Sequence, residues 1–473
     1  MSALNFVLAF GAIWFLGALV LGHAGARRGG VLGIAADFAA GVVLLALVGS
    51  IGVMAGLRLS VAGIYALIGA LAVGAAVRRV RLSVALAPPR DALTRVLLVA
   101  AASPLMLIGI SALGDRLWWD GWAIWVLKAR ILFSDGTLPA EYFAKDGALV
   151  FSHPGYPLAV PLLDWWLFRH VGAPAPAAAS VAGTIWHTIL VGVVFGALLD
   201  RVGERLAALA ALGTAAFWPI AFFAAGGTAD VVVATALVGA IREMEDGVNH
   251  RDVAASWRAG VFLALGAMAK VEGIAIAAAV AGVGVLSLIR KRESRPSHLL
   301  AYALPFAVLA PWQLFVTVKG LGRTFFTLAL TPAALLDRAA LFLGSVASIV
   351  LQPAWLPIVA LAVLGVSRRA SAEGWIALGG YFVAVAASYL LTPDDPGWLV
   401  ATSLERVLAA CVPATLYVSL GGAAAPLVPE ASRGVGPSTA LVGAGPVSEG
   451  RSPDPSDHAA DAEVGVEGHA RSI

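Results

Sequence analysis

Long apolar runs separated by short charged or turn-rich breaks dominate the chain. They fall near 3–22, 31–56, 60–77, 96–113, 177–199, 206–225 and 228–241, and again over 259–289, 299–318, 339–365, 373–391 and 405–421. A helix needs about 20 apolar residues to cross a hydrocarbon core about 30 Å thick, and it must satisfy its own backbone because lipid offers no hydrogen-bond partner. The run 259–289 is too long for one ordinary crossing and is interrupted by Lys270, Glu272 and Gly273, which predicts two short helices meeting at a polar turn. The alternation expected of barrel strands is absent. The pattern predicts an all-α, polytopic transmembrane helical bundle of about 11–13 spans.

Composition strengthens this picture. Of 473 residues, 60% are hydrophobic and 13% charged, with a mean hydropathy of +0.87, whereas a soluble domain carries about 25% charged residues. A net charge of +3, scattered along the chain, argues against a nucleic-acid surface. The single cysteine, Cys411, excludes an intrachain disulfide. Three regions are expected: N-terminal transmembrane helices over 1–95, a main helical region over 96–421, and a Gly-, Pro-, Ser- and acid-rich tail over 422–473 that reads as disordered cytoplasmic chain. No internal repeat is evident, which weakens a transporter reading built on repeated halves.

Basic residues sort by loop. Arg27 and Arg28, the cluster Arg78, Arg79, Arg81, Arg90 and Arg95, then Arg201 and Arg205 all fall on one side when the spans are counted. Arg242, Arg251 and Arg258, the run Arg290, Lys291, Arg292 and Arg295, and the pair Arg368 and Arg369 join them. The positive-inside rule assigns that side to the cytoplasm, with the N-terminus outside and the tail inside. The expected location is the cytoplasmic membrane of a bacterial cell. No basic n-region precedes the first span, which argues against a cleaved signal peptide.

On the other side lie the loop 114–176, the turns near Gly226–Asp230 and Lys270–Gly273, and the segments 319–338 and 392–404. Four tryptophans, Trp118, Trp119, Trp122 and Trp125, follow a span directly and predict an interfacial helix. On a regular helix Asp120, Ile124 and Lys128 would share one face. The plain alternative is a pair of solvated loop charges. Further on, His153, Pro154, Tyr156, Pro157 and Pro161 predict a shaped, extended turn that could wall a pocket, His153 being alternatively a helix cap.

These segments together resemble the GT-C glycosyltransferases. The resemblance rests on an outer Asp after an early span, the His153–Pro157 segment, the helix ending LALGAMAKVEG (Leu263–Gly273), the turn GGTADVVVATAL (Gly226–Leu237) and the segment TPDDPGWLVATSLERVL (Thr392–Leu408). It is nearest to the family 39 branch that includes protein mannosyltransferases and aminoarabinose transferases, and it spreads over residues 96–415. Two departures are Gly121 where the family's first loop has a second acidic residue, and more than one span before that loop. The resemblance implies transfer of a sugar from a polyprenyl-phosphate donor to a glycan, lipid or protein acceptor at the outer membrane face.

In that chemistry an inverting transfer needs a general base, for which Asp120 is the first candidate and Asp115 the second. Lys128, Arg130, Lys270 and Arg406 are the cations available to a lipid phosphate. His153, Tyr156, Asp230 and Glu272 are the remaining pocket candidates. Each has a simpler reading: Lys270 paired with Glu272 or snorkelling, Asp230 capping the next helix in competition with Thr228, and Arg406 paired with Glu405. Asp394 and Asp395 could hold a divalent metal, but beside Pro393 and Pro396 they read better as a solvated turn, so no metal or other cofactor is assigned. A lipid-linked glycan polymerase or ligase, or a flippase, is the alternative; a flippase would bury charges within several spans.

Overall fold

Each apolar run is helical in the computed structural model, which describes residues 3–80, 82, 86–114, 117–144, 147–293, 295–321, 330–367 and 371–423. Asp115, Arg368, Arg369 and the tail beyond 423 lie outside the described residues. The described helices belong to one unit of contacts, Met1–Leu427.

Helices α1 (Ala3–His23), α2 (Gly30–Met54), α3 (Val61–Val77) and α4 (Ala92–Ala112) precede the large loop. Ser60 and Asp91 accept hydrogen bonds from the Gly63 and Thr94 backbone N–H groups, which caps α3 and α4. Within the loop lie a π-helical turn (Gly121–Val126), α5 (Leu127–Asp135), two short 3-10 turns and α6 (Ala159–Val171). The chain continues through α7 (Pro176–Val202), α8 (Glu204–Ala216), α9 (Trp218–Ala225), α10 (Asp230–Asn249), α11 (Val253–Ala269) and α12 (Glu272–Arg290). It ends in α13 (Pro296–Val318), α14 (Pro332–Val350), α15 (Leu356–Ser367), α16 (Ala372–Leu390) and α17 (Pro396–Ala423). No strand occurs among the described residues.

Eight of these helices, α1, α2, α4, α7, α12, α13, α14 and α17, are long and apolar enough to cross a membrane, and α8 with α9 makes a ninth, bent by 56°. The chain is thus a multi-pass membrane protein with fewer full-length candidate spans than the 11–13 expected. The difference has local causes. The run 259–289 does split at Lys270, which leaves α11 with 17 residues, and 339–365 splits into α14 and a 12-residue α15. Helix α10 has the length, but its second half carries Arg242, Glu243, Glu245 and Asp246.

The helices are held close by small residues. A Cβ on Gly273 would stand 1.8 Å from the Gly266 carbonyl oxygen, so only glycine lets α12 fold back on α11. Helix α10 packs on α11, α7, α17 and α12, and its residues are nearly all buried.

Among the described residues, arginines from several of the basic segments meet at one end of the bundle, where many are paired with carboxylates rather than being free loop charges. Arg28 binds Asp200 and Asp246, each at 3.0 Å, and Glu243 at 3.3 Å. Arg258 meets Glu243 at 2.8 Å, Arg201 meets Glu245 at 2.7 Å, and Arg27 meets Asp37 at 2.7 Å. Arg242 pairs with Asp246, while Ser371 and Tyr417 donate to Glu245. This network ties α2, α7, α10, α11 and α17 together at what is called here the Arg258 end. The Lys270 turn marks the opposite end.

Candidate active site at the Lys270 end

The π-helical turn decides where Asp120 goes. Its wider winding breaks the i, i+4 register of a regular helix, so Asp120, Ile124 and Lys128 do not share the single face expected of them. Gly121 then packs on the α9–α10 turn so tightly that a Cβ there would stand 2.0 Å from the Gly226 carbonyl oxygen. Trp118 N–H donates to that same oxygen at 3.0 Å. The absence of a side chain at Gly121 is what brings the backbone of residue 121 against that turn. Asp120, one residue earlier, forms an ion pair with Arg406 on α17. Arg406 also lies over the Phe223 ring, 5.9 Å from its centroid, and does not pair with Glu405.

Next to this pair, Lys270 occupies the break between α11 and α12, with Nζ 2.9 Å from Asp230 and 3.0 Å from Glu272. Burial alone would depress the lysine, but the two carboxylates outweigh it and raise its pKa above the ordinary value, so the ammonium is firmly charged. Asp230 is the first residue of α10, yet its side chain caps nothing and faces Lys270 instead. Thr228 donates to the Phe223 carbonyl and does not cap α10 either. Arg406 is close enough to Asp230 to act on its charge. Five predicted residues, Asp120, Asp230, Lys270, Glu272 and Arg406, therefore form one ionic cluster.

A cavity of about 530 Å³ opens beside the cluster between α12, α16 and the start of α17. Ile274, Ala275, Ala278, Val385 and Leu399 give it an apolar wall, while Tyr156, Glu272, Ser388, Tyr389, Asp394 and Ser403 supply polar groups. Tyr389 and Ser403 share a hydrogen bond of 2.8 Å between their hydroxyls, and Ser403 stands one helical turn before Arg406. Three cluster atoms, Asp230 Oδ2, Glu272 Oε2 and Arg406 Nε, are buried without a hydrogen-bond partner.

Tyr156 joins the cavity to the Pro-rich turn. His153 has left-handed backbone geometry (φ 50°) and stacks on Tyr156 at 4.7 Å; it ends the short 3-10 turn before it and does not cap α6. On the Tyr156 ring also rests Lys128, 5.8 Å from the centroid, with its Nζ donating to the Ser152 carbonyl at 2.8 Å. Lys128 is fully buried, and burial drops its pKa well below that of a free lysine. It braces the turn from behind and does not join the cluster, while Arg130 is exposed on α5 and makes no ion pair among the described residues. Asp395 accepts from the Gly397 N–H at 2.7 Å, as a turn residue does, and no group of three or more metal-ligating side chains occurs among the described residues.

Sequence reading overlooked Tyr389 and Ser403, which sit in ordinary apolar helices, and the whole Arg258-end network. The second had a signal: the stretch Arg242–Asp246 places charges inside an otherwise apolar helix, where each needs a partner. No protein-family model, curated protein or solved structure matches the chain.

Proposed function

We propose that the protein is a GT-C-like membrane glycosyltransferase that moves a sugar from a polyprenyl-phosphate donor to an acceptor at the outer face of the cytoplasmic membrane. The observation that carries this reading is the ionic cluster at the rim of a cavity with one apolar wall. An amphipathic donor suits such a place: its lipid chain finds the apolar surface of α12 and α16, and its phosphate finds Lys270 and Arg406. Arg406 holds the Asp120 carboxylate in a fixed orientation, as a general base for an acceptor hydroxyl requires.

Purified protein in nanodiscs, given a radiolabelled polyprenyl-phosphate sugar and membrane-derived acceptors, tests it. Transfer that disappears in Asp120→Asn, with membrane insertion unchanged, is the expected result; full activity in that variant removes the base assignment. Reporter fusions after Gly136 and after Leu427 should report outside and inside respectively.

A lipid-linked-sugar flippase is the second reading, because Asp37, Arg242, Glu243, Glu245 and Arg258 are buried within helices. Translocation of a fluorescent polyprenyl-phosphate lipid by proteoliposomes, without any sugar transfer, would favour it.

A further inference from the structure

We infer that Glu272 is a displaceable carboxylate that occupies the phosphate position on Lys270 until an anionic ligand enters, and so sets the threshold for binding. The inference rests on the polyprenyl-phosphate reading given above.

Charge is the first argument. Asp120, Asp230 and Glu272 are three carboxylates facing two cations, Lys270 and Arg406. The cluster is formally negative by one charge, and both cations are already engaged. A phosphate arriving at such a site is repelled unless one carboxylate gives way.

Geometry says which one. The Asp230 side chain is 3% exposed and Glu272 is 25% exposed, although both hold the same ammonium. Of the three carboxylates, Glu272 alone lines the cavity. Each of the two carboxylates on Lys270 leaves one oxygen, Asp230 Oδ2 and Glu272 Oε2, without a hydrogen-bond partner, so exposure and the cavity decide between them. A partly exposed carboxylate is more easily exchanged than a buried one, and Asp230 is locked in by burial. Glu272 is also the first residue of α12, where a helix N-terminus welcomes negative charge. A phosphate oxygen taking its place keeps that favourable contact and gains Lys270. The departing carboxylate swings into the cavity, where it can accept a hydrogen bond from a sugar hydroxyl.

The consequence is opposite in sign to the usual loss on mutating a site residue. With the full chain in nanodiscs and farnesyl phosphate as the probe, Glu272→Gln should bind about fivefold more tightly than the parent, as removal of one weak competing ion pair predicts. Glu272→Ala should behave likewise and serves if the glutamine variant folds poorly, while Lys270→Met should bind much more weakly than either. Equal or weaker binding by the folded Glu272 variants, with the parent binding normally, overturns the displacement role alone. Absence of farnesyl phosphate binding by the parent and both Glu272 variants overturns the donor reading and the displacement role together.

Discussion

Asp120 and Arg406 stand 286 positions apart in the sequence and form one ion pair, which links the π-helical turn of the large loop to the last described helix. The contact brings α17 to the same point as the α9–α10 turn, since Arg406 also rests on Phe223. Arg406→Lys keeps the charge but loses the planar fork that can hold Asp120 while offering a second N–H to a ligand. We expect Arg406→Lys to retain the fold and to lose at least tenfold in kcat/KM for sugar transfer. Unchanged kinetics would exclude Arg406 from the site.

Gly121 permits the approach on which that pair depends. Gly121→Ala should push the π-helical turn away from Gly226 and cost about 1–3 kcal/mol, the usual penalty for overpacking. Thermal unfolding in detergent would register the loss, and sugar transfer should fall further than stability does because Asp120 moves with the turn. A variant as stable and as active as the parent would show that the turn does not position Asp120.

Asp164 on α6 is buried and has no hydrogen-bond or ion-pair partner among the described residues; burial pushes its pKa up to about 8. An unfolded aspartate titrates near about 3.9. Below that value both states hold the proton and the residue costs nothing. Between there and pH 8 the unfolded chain releases a proton that the folded chain keeps, so stability falls as pH rises. Asp164→Asn should therefore match the parent near pH 4 and exceed it near pH 9 by on the order of a few kcal/mol. Melting temperatures across pH decide it, and a constant difference would mean that Asp164 is ionised in the fold.

The Arg258-end network predicts a separation of stability from binding. Arg258→Met leaves the buried Glu243 short of its 2.8 Å partner, and breaking a buried pair on one side typically costs about 3–5 kcal/mol. Farnesyl phosphate affinity of the protein that remains folded should not change. Loss of affinity at full stability would mean that the two ends of the bundle communicate.

Much of this arrangement was legible in the sequence, for identifiable reasons. Helix-length apolar runs announce themselves by hydropathy alone, and the interruption at Lys270 marked a turn because an ammonium inside an apolar run demands a partner. The same logic pointed to Glu272, whereas Asp230 and Arg406 entered as candidates only through the resemblance of the segments that carry them. Lys128 misled, because its spacing from Asp120 supposed a regular helix, and the π-helical turn is fixed by a backbone contact between Gly121 and Gly226, which are distant in sequence. Tyr389 and Ser403 carry no local pattern; only the packing of α16 on α17 makes them neighbours of the cluster. Loop arginines such as Arg28 and Arg201 fitted a charge-counting rule that ignores their carboxylate partners.

Helix α10 bears Asp230 at one end and Arg242, Glu243, Glu245 and Asp246 towards the other, the first separated from the last by 16 positions, or about 24 Å along its axis. Fixed to four neighbouring helices at the Arg258 end, it behaves as a mast stepped into the base of the bundle. Whatever yields when a ligand arrives must then be the rigging: α12 with its carboxylate, and α16 across the cavity. Lys270, tethered to the mast through Asp230, keeps its place while the wall in front of it opens.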